Sequence, residues 1–108
     1  MPQFDDREKS FEAKFAHDAE LQFRVFARRN KLIGRWAALK MGLDSASADA
    51  YALDVVKAAA ASADDETVYA KLKADLDAKA IELSEHQLRR EMEDQLAAAR
   101  QQIMGETK

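Results

Sequence analysis

The chain has 108 residues, a net charge of −3, no cysteine, three glycines and one proline. It is 47% hydrophobic and 34% charged, rich in Ala, Leu, Glu, Lys, Arg and Gln, which predicts a single helical domain. The lack of cysteine excludes a disulfide framework, a thiolate nucleophile and a zinc–thiolate site. The charge is unevenly placed: residues 1–40 hold nine Lys/Arg against six Asp/Glu, the rest eight against fourteen, and no acidic residue lies between Leu21 and Leu43. The opening MPQFDDREKS has neither a basic nor an apolar signal region, and no apolar run reaches the ~20 residues of a membrane span, so a cytoplasmic protein without membrane insertion is expected.

The first predicted helix runs from about Asp6 to Met41, with Asp5 as N-cap, Glu8 closing a capping box and Gly42 as the stop. An ideal helix of that length would be roughly 55 Å, too long for so small a domain, so its start must project, bend or stay unfolded. Its expected core face is Leu21, Val25, Leu32, Trp36 and Leu39, with Ile33 beside them. The second helix should begin near Ala46 after a polar group, carry Tyr51 and Val55 broadened by Leu53 and Val56, and fade in the run Ala58–Ala61. Asp64 or Asp65 should cap a third, marked by Val68, Leu72 and Leu76. After a connection over Lys79–Leu83, Ser84 and Gln87 form a capping-box pattern opening the fourth helix, with Leu88, Met92, Leu96, Ala99 and Ile103 as its seam, ending near Gly105.

The fold expected is all-α, an antiparallel four-helix bundle with a protruding, flexible N-terminal arm. Residues 1–18 form the arm, disordered or marginally helical when free, and residues 19–108 the bundle. All five phenylalanines lie between Phe4 and Phe26. Phe4, Phe11 and Phe15 fall within about 40° on a helical wheel, an anchor spacing suited to a helix that orders in a partner's groove. The competing reading is that they extend the core. Arg24, Arg28, Lys31 and Arg35 make a second stripe, either a solvated face or a secondary surface for an acidic partner.

Nothing points to chemistry. His17 and His86 belong to no metal-binding spacing, no glycine loop could cradle a phosphate, and Trp36 reads as a core anchor. A non-enzyme without metal or cofactor, monomeric when free and binding no nucleic acid, is expected.

The segment FDDREKSFEAKFAHDAELQFRVFARRNKLIGRWAA, Phe4 to Ala38, resembles the zeta subunit family of alphaproteobacterial F-type ATP synthases, whose members are ATPase inhibitors. The likeness rests on Phe-Asp-Asp-Arg-Glu, Glu-x-Lys-Phe-Ala-His-Asp at Glu12–Asp18, Glu-Leu-x-Phe at Glu20–Phe23, Ala-Arg-Arg-Asn-Lys-Leu at Ala27–Leu32, and Gly34 with Trp36–Ala38. It continues more loosely through Gly42, Ala48–Ala52, Val55–Lys57 and Gln102–Met104. The chain departs from it at Ala58–Ser62, where relatives often have an acidic, Phe-containing turn.

The resemblance implies an inhibitor of ATP hydrolysis, peripheral to the inner-membrane ATP synthase. Its arm would enter the catalytic head at an interface of the alpha and beta subunits near the gamma rotor and block hydrolytic rotation. Carried onto this chain, the contact residues are Phe4, Arg7, Phe11, Lys14 and Phe15. The rival expectations are a helical adaptor whose Phe-rich arm docks in another protein's groove, and a nucleic-acid-associated bundle, which would show a steep salt dependence.

Overall fold

The computed structural model describes residues 18–61 and 64–106. Four helices follow one another: α1 (Ala19–Lys40), α2 (Ser45–Ala61), α3 (Asp65–Ala78) and α4 (Glu85–Glu106). Among the described residues there is no strand.

Each helix begins where a short polar side chain satisfies amides that lack an intrahelical partner. Asp18 accepts from the amides of Glu20 and Leu21 at 3.0 and 3.1 Å. Asp44 accepts from Ser47 at 2.8 Å, and Asp64 from Glu66 at 2.9 Å. At α4 the Ser84–Gln87 box closes as expected: the Gln87 amide donates to Ser84 Oγ, and the Ser84 amide donates to Gln87 Oε1.

The expected helix over Asp6–Met41 is corrected at its start. Asp18 is extended, at φ −95° and ψ 107°, and its carboxylate caps a helix that begins at Ala19. A helix running unbroken through position 18 is therefore not formed. The predicted cap at Asp5 and the Glu8 box lie outside the described residues. The second helix starts at Ser45, next to the expected Ala46, and ends within the expected alanine run, at its last residue Ala61, as the strong helix propensity of alanine allows.

Neighbouring helices are antiparallel. Arg35 of α1 pairs with Asp49 of α2 while Gly34 meets Ala52 and Val55, so the two helices run in opposite directions. Tyr51 reaches Asp75 across α2 and α3, Lys73 reaches the Leu83 carbonyl, and Arg89 reaches Glu66 across α3 and α4. Arg24 and Arg28 of α1 meet Glu106 at the far end of α4, which closes the bundle. The main core holds Ile33, Ala37, Val55, Val68, Leu72, Leu76, Leu88 and Met92, flanked by Trp36 and Tyr51. A smaller cluster of Val25, Ala99 and Ile103 joins α1 to α4.

The face that α1 buries is not the expected one. Val25 and Ile33 are inside, but so are Gly34, Ala37, Ala38, Arg29 and Asn30, while Leu21, Leu32 and Trp36 are half-buried and Leu39 is 56% exposed. The buried stripe is turned by about a third of a circle from the Leu–Trp stripe. The reason is the close approach of α2, whose own buried residues include Ala48 and Ala52. Small side chains on both helices let the backbones come together, so the alanines and the glycine form the contact.

Two helix ends turn through the left-handed region. After α1, Gly42 has φ +81° and the Leu43 amide donates to the Ala38 carbonyl. After α3, Ala80 has φ +60° and the Ile81 amide donates to the Leu76 carbonyl. This is the same terminating turn, with alanine where glycine is free of the Cβ penalty. Ala80→Gly is expected to stabilise the fold by about 1 kcal/mol, a rise in Tm of roughly 5 °C, measurable by thermal circular dichroism. A fall in Tm would mean that the turn is not strained by its side chain.

Candidate docking surfaces

Two surfaces of α1 are candidates for docking. The first is the basic stripe. Its spacings of four, three and four place Arg24, Arg28, Lys31 and Arg35 on the side of α1 away from the core. Three of the four are engaged within the bundle. Arg24 and Arg28 converge on the Glu106 carboxylate at 3.4 and 2.8 Å, and Arg28 also donates to Gln102 Oε1 at 2.7 Å. Arg35 pairs with Asp49. Lys31 is exposed, with no ion pair among the described residues. The hydrogen bond from Arg28 and the charges of both arginines hold the Glu106 carboxyl below its ordinary range. These pairs are solvent-accessible, so each contributes little stability, and their main effect is to fix where α4 ends against α1.

The second surface is apolar. Phe23 is 71% exposed, Leu53 52% and Phe26 37%. The antiparallel register explains Phe23. Gly34 faces Ala52, so a partner for Phe23 would have to come from beyond Ala61, where α2 stops. Two grooves of about 600 Å³ and 580 Å³ flank this ring and share Phe23, Ala27 and Val56 in their walls. One is rimmed by Arg24, Arg28 and Lys31 and floored by Leu53 and Ile103. The other runs past Phe26 toward Val68 and is rimmed by Asp64 and Asp65.

Under the second groove lies a buried cation. The Arg29 side chain is 3% exposed; its Nη2 donates to Asp65 Oδ1 at 2.7 Å, its Nε donates to Asn30 Oδ1 at 2.7 Å, and its guanidinium stands 5.4 Å from the centre of the Phe26 ring. Arg29 thus joins the start of α3 to the middle of α1. Between α2 and α3, Tyr51 donates to Asp75, which also accepts from Lys71. Burial and the Asp75 carboxylate push the Tyr51 hydroxyl far above its usual range, which keeps it a donor.

Phe4, Arg7, Phe11, Lys14, Phe15 and His17 lie outside the described residues. His86 is exposed. Among the described residues no group of three or more His, Cys, Asp or Glu side chains could hold a metal ion, and no helix is long and apolar enough to cross a membrane. What the described surface offers is an apolar floor between rims of opposite charge, which suits the packing of another helix. Sequence patterning missed the Phe23–Leu53 patch. The available signal was Phe23 itself, a large aromatic standing off the predicted core stripe.

A model of the family described as ATPase inhibitor subunit zeta matches residues 1–102. No curated protein matches the chain.

Proposed function

From the premise that this chain belongs to the family of ATPase inhibitor zeta subunits, we propose that it restrains ATP hydrolysis by the F-type ATP synthase through its N-terminal arm. The family is regulatory rather than catalytic. The match begins at residue 1, so it includes the segment that carries Phe4, Phe11 and Phe15, and this supports the reading more than any other observation. Residues 1–18 act as the arm and residues 19–108 as its carrier. The arm enters as a helix at an interface of alpha and beta subunits near the gamma rotor, with Phe4, Phe11 and Phe15 buried and Arg7 and Lys14 at the rim. A wedge held there disfavours rotation and needs no chemistry of its own. The protein works on the cytoplasmic side, peripheral to the membrane-bound synthase. Of the secondary basic surface, Lys31 is the member left to meet a partner, because Arg24, Arg28 and Arg35 already hold α2 and α4.

The test uses the full chain and the isolated catalytic head of the host's ATP synthase. The unsubstituted protein should lower ATP hydrolysis. The variant with Phe4, Phe11 and Phe15 all changed to Ala should keep its helical circular dichroism and lose potency by at least about a hundredfold, since each buried Phe contributes roughly 1.5–3 kcal/mol. Equal potency of the two proteins would remove the arm from the mechanism. Binding to an unrelated protein, with none to the head, would favour the adaptor.

A further inference from the structure

We propose that the groove around Phe23 is a resting site for the chain's own N-terminal segment, which folds back on the bundle with Phe4, Phe11 and Phe15 against Phe23, Ala27, Val56 and Leu53. An exposed aromatic patch with no cover among the described residues lies about one helical turn from where the first 17 residues join the bundle. Asp18 is extended and caps α1, so the chain leaves the helix axis there. A reversal of two to five residues is the ordinary length of a connection between antiparallel helices. The Phe4–Phe15 stripe would be roughly 17 Å long as a helix, comparable to the roughly 12 Å between Phe23 and Lys31 along α1.

Charge supplies the second argument. On a helical wheel Asp5, Glu8 and Glu12 lie along one flank of the phenylalanine stripe, and Arg7 and Lys14 along the other. The groove has the complementary arrangement: Arg24, Arg28 and Lys31 on one side, Asp64 and Asp65 on the other. With the stripe facing the groove, a segment antiparallel to α1 turns its acidic flank toward the arginines and its basic flank toward the aspartates. A parallel segment would place like charges together. A fold-back at Asp18 produces the antiparallel direction and therefore the matched one. Asp49 also lies on the basic side, paired with Arg35; Arg24 and Arg28 share Glu106 and Asp65 holds Arg29, so Lys31 and Asp64 are the rim charges without an ion pair among the described residues.

The tether raises the local concentration of the segment to the millimolar range, so a weak intrinsic contact suffices to populate the docked state. A docked arm is withheld from any partner, and its apparent affinity falls by the fraction that is free. This last consequence rests on the inhibitory reading of the arm; the docking itself does not.

The chain has no cysteine, so Ser10→Cys gives one attachment point for a nitroxide, on the side of the arm away from the phenylalanines. In the full-length, nitrogen-15-labelled chain without any ATPase, the amide signals of Phe23, Leu53 and Val56 should lose most of their intensity, and that of Leu39, at the other end of α1, should not. Adding Phe23→Asp should restore the signals. Phe23 is 71% exposed, so the bundle should tolerate the change, and Leu53→Asp provides the same test at a second exposed position. Absence of broadening overturns the docking, and broadening that survives both substitutions overturns the groove as its site. Broadening that appears only on mixing nitroxide-bearing chains with separate isotope-labelled chains assigns the groove to a second copy and overturns the fold-back.

Discussion

Gly34→Val is expected to destabilise the bundle by about 3 kcal/mol, near the upper end of the usual cost of overpacking. A Cβ at this position would stand 2.8 Å from the Ala52 Cα, 3.2 Å from Val55 Cγ2 and 3.3 Å from the Ala52 Cβ. The nearest of these is backbone, so no side-chain rotation relieves it, and α1 and α2 must separate. Separation also opens contacts made by Ala37, Ala38 and Ala48, which are fully buried. Gly34→Ala carries the same first clash but gains up to about 1 kcal/mol of helix propensity, so its net loss should be smaller. Gly105 serves as the control, being helical with nothing within 4 Å of its Cβ direction; there alanine should be neutral or slightly stabilising. Urea denaturation checks the set: at a slope of about 1–3 kcal/mol per molar, the valine variant should shift the midpoint by 1 M or more. Similar responses to alanine at 34 and at 105 would mean that the helices do not touch as described.

The same close contact marks where the sequence was legible. On α3 and α4, large apolar residues recur at one spacing against polar neighbours. Val68, Leu72, Leu76, Leu88, Met92, Ala99 and Ile103 are buried as the pattern predicts, and Leu96 of the same seam is half-buried. On α1 the strongest hydrophobic pattern, Leu and Trp, misplaced the core face. A wheel weighted by hydrophobicity ranks Leu39 above Gly34, but close packing between backbones depends on the absence of a side chain, which no such weighting rewards. The cap at Asp18 was hidden by a second candidate start at Asp5, with its Glu8 box.

The candidate site divides along the same line. The Phe4–Phe11–Phe15 spacing and the basic stripe are periodic features within one segment, visible without a fold. The partners that engage the stripe, Asp49, Gln102 and Glu106, lie between 14 and 82 residues away from it. The exposure of Phe23 depends on where α2 ends relative to α1. These are consequences of register between helices, which a single sequence does not specify locally.

Register also gives Arg29 and Asp65 an unequal dependence on one another. The arginine is 3% exposed and the aspartate 59%, joined at 2.7 Å. Asp65→Ala leaves a guanidinium deep in the bundle without its ion pair, holding the Asn30 side chain and the Phe26 ring among the described residues. Stranding a fully buried charge costs about 3–5 kcal/mol, and the open groove beside Asp65 lets water reduce that, so a loss of about 2 kcal/mol is expected. Arg29→Met removes the charge itself and keeps much of the packing. Its cost is the Asn30 acceptor left without its donor, about 1 kcal/mol. Once Arg29 is methionine, losing Asp65 should cost only the few tenths due to an acidic residue in the first turn of α3. The double variant should therefore be about as stable as Arg29→Met alone, a coupling on the order of 1–2 kcal/mol in a denaturation cycle. The ordering carries the argument: the exposed partner should be the more damaging one to lose. If Asp65→Ala instead falls within the roughly 0.5 kcal/mol typical of surface changes, Asn30, Phe26 and water suffice for the cation, and the link from α3 to α1 is not electrostatic.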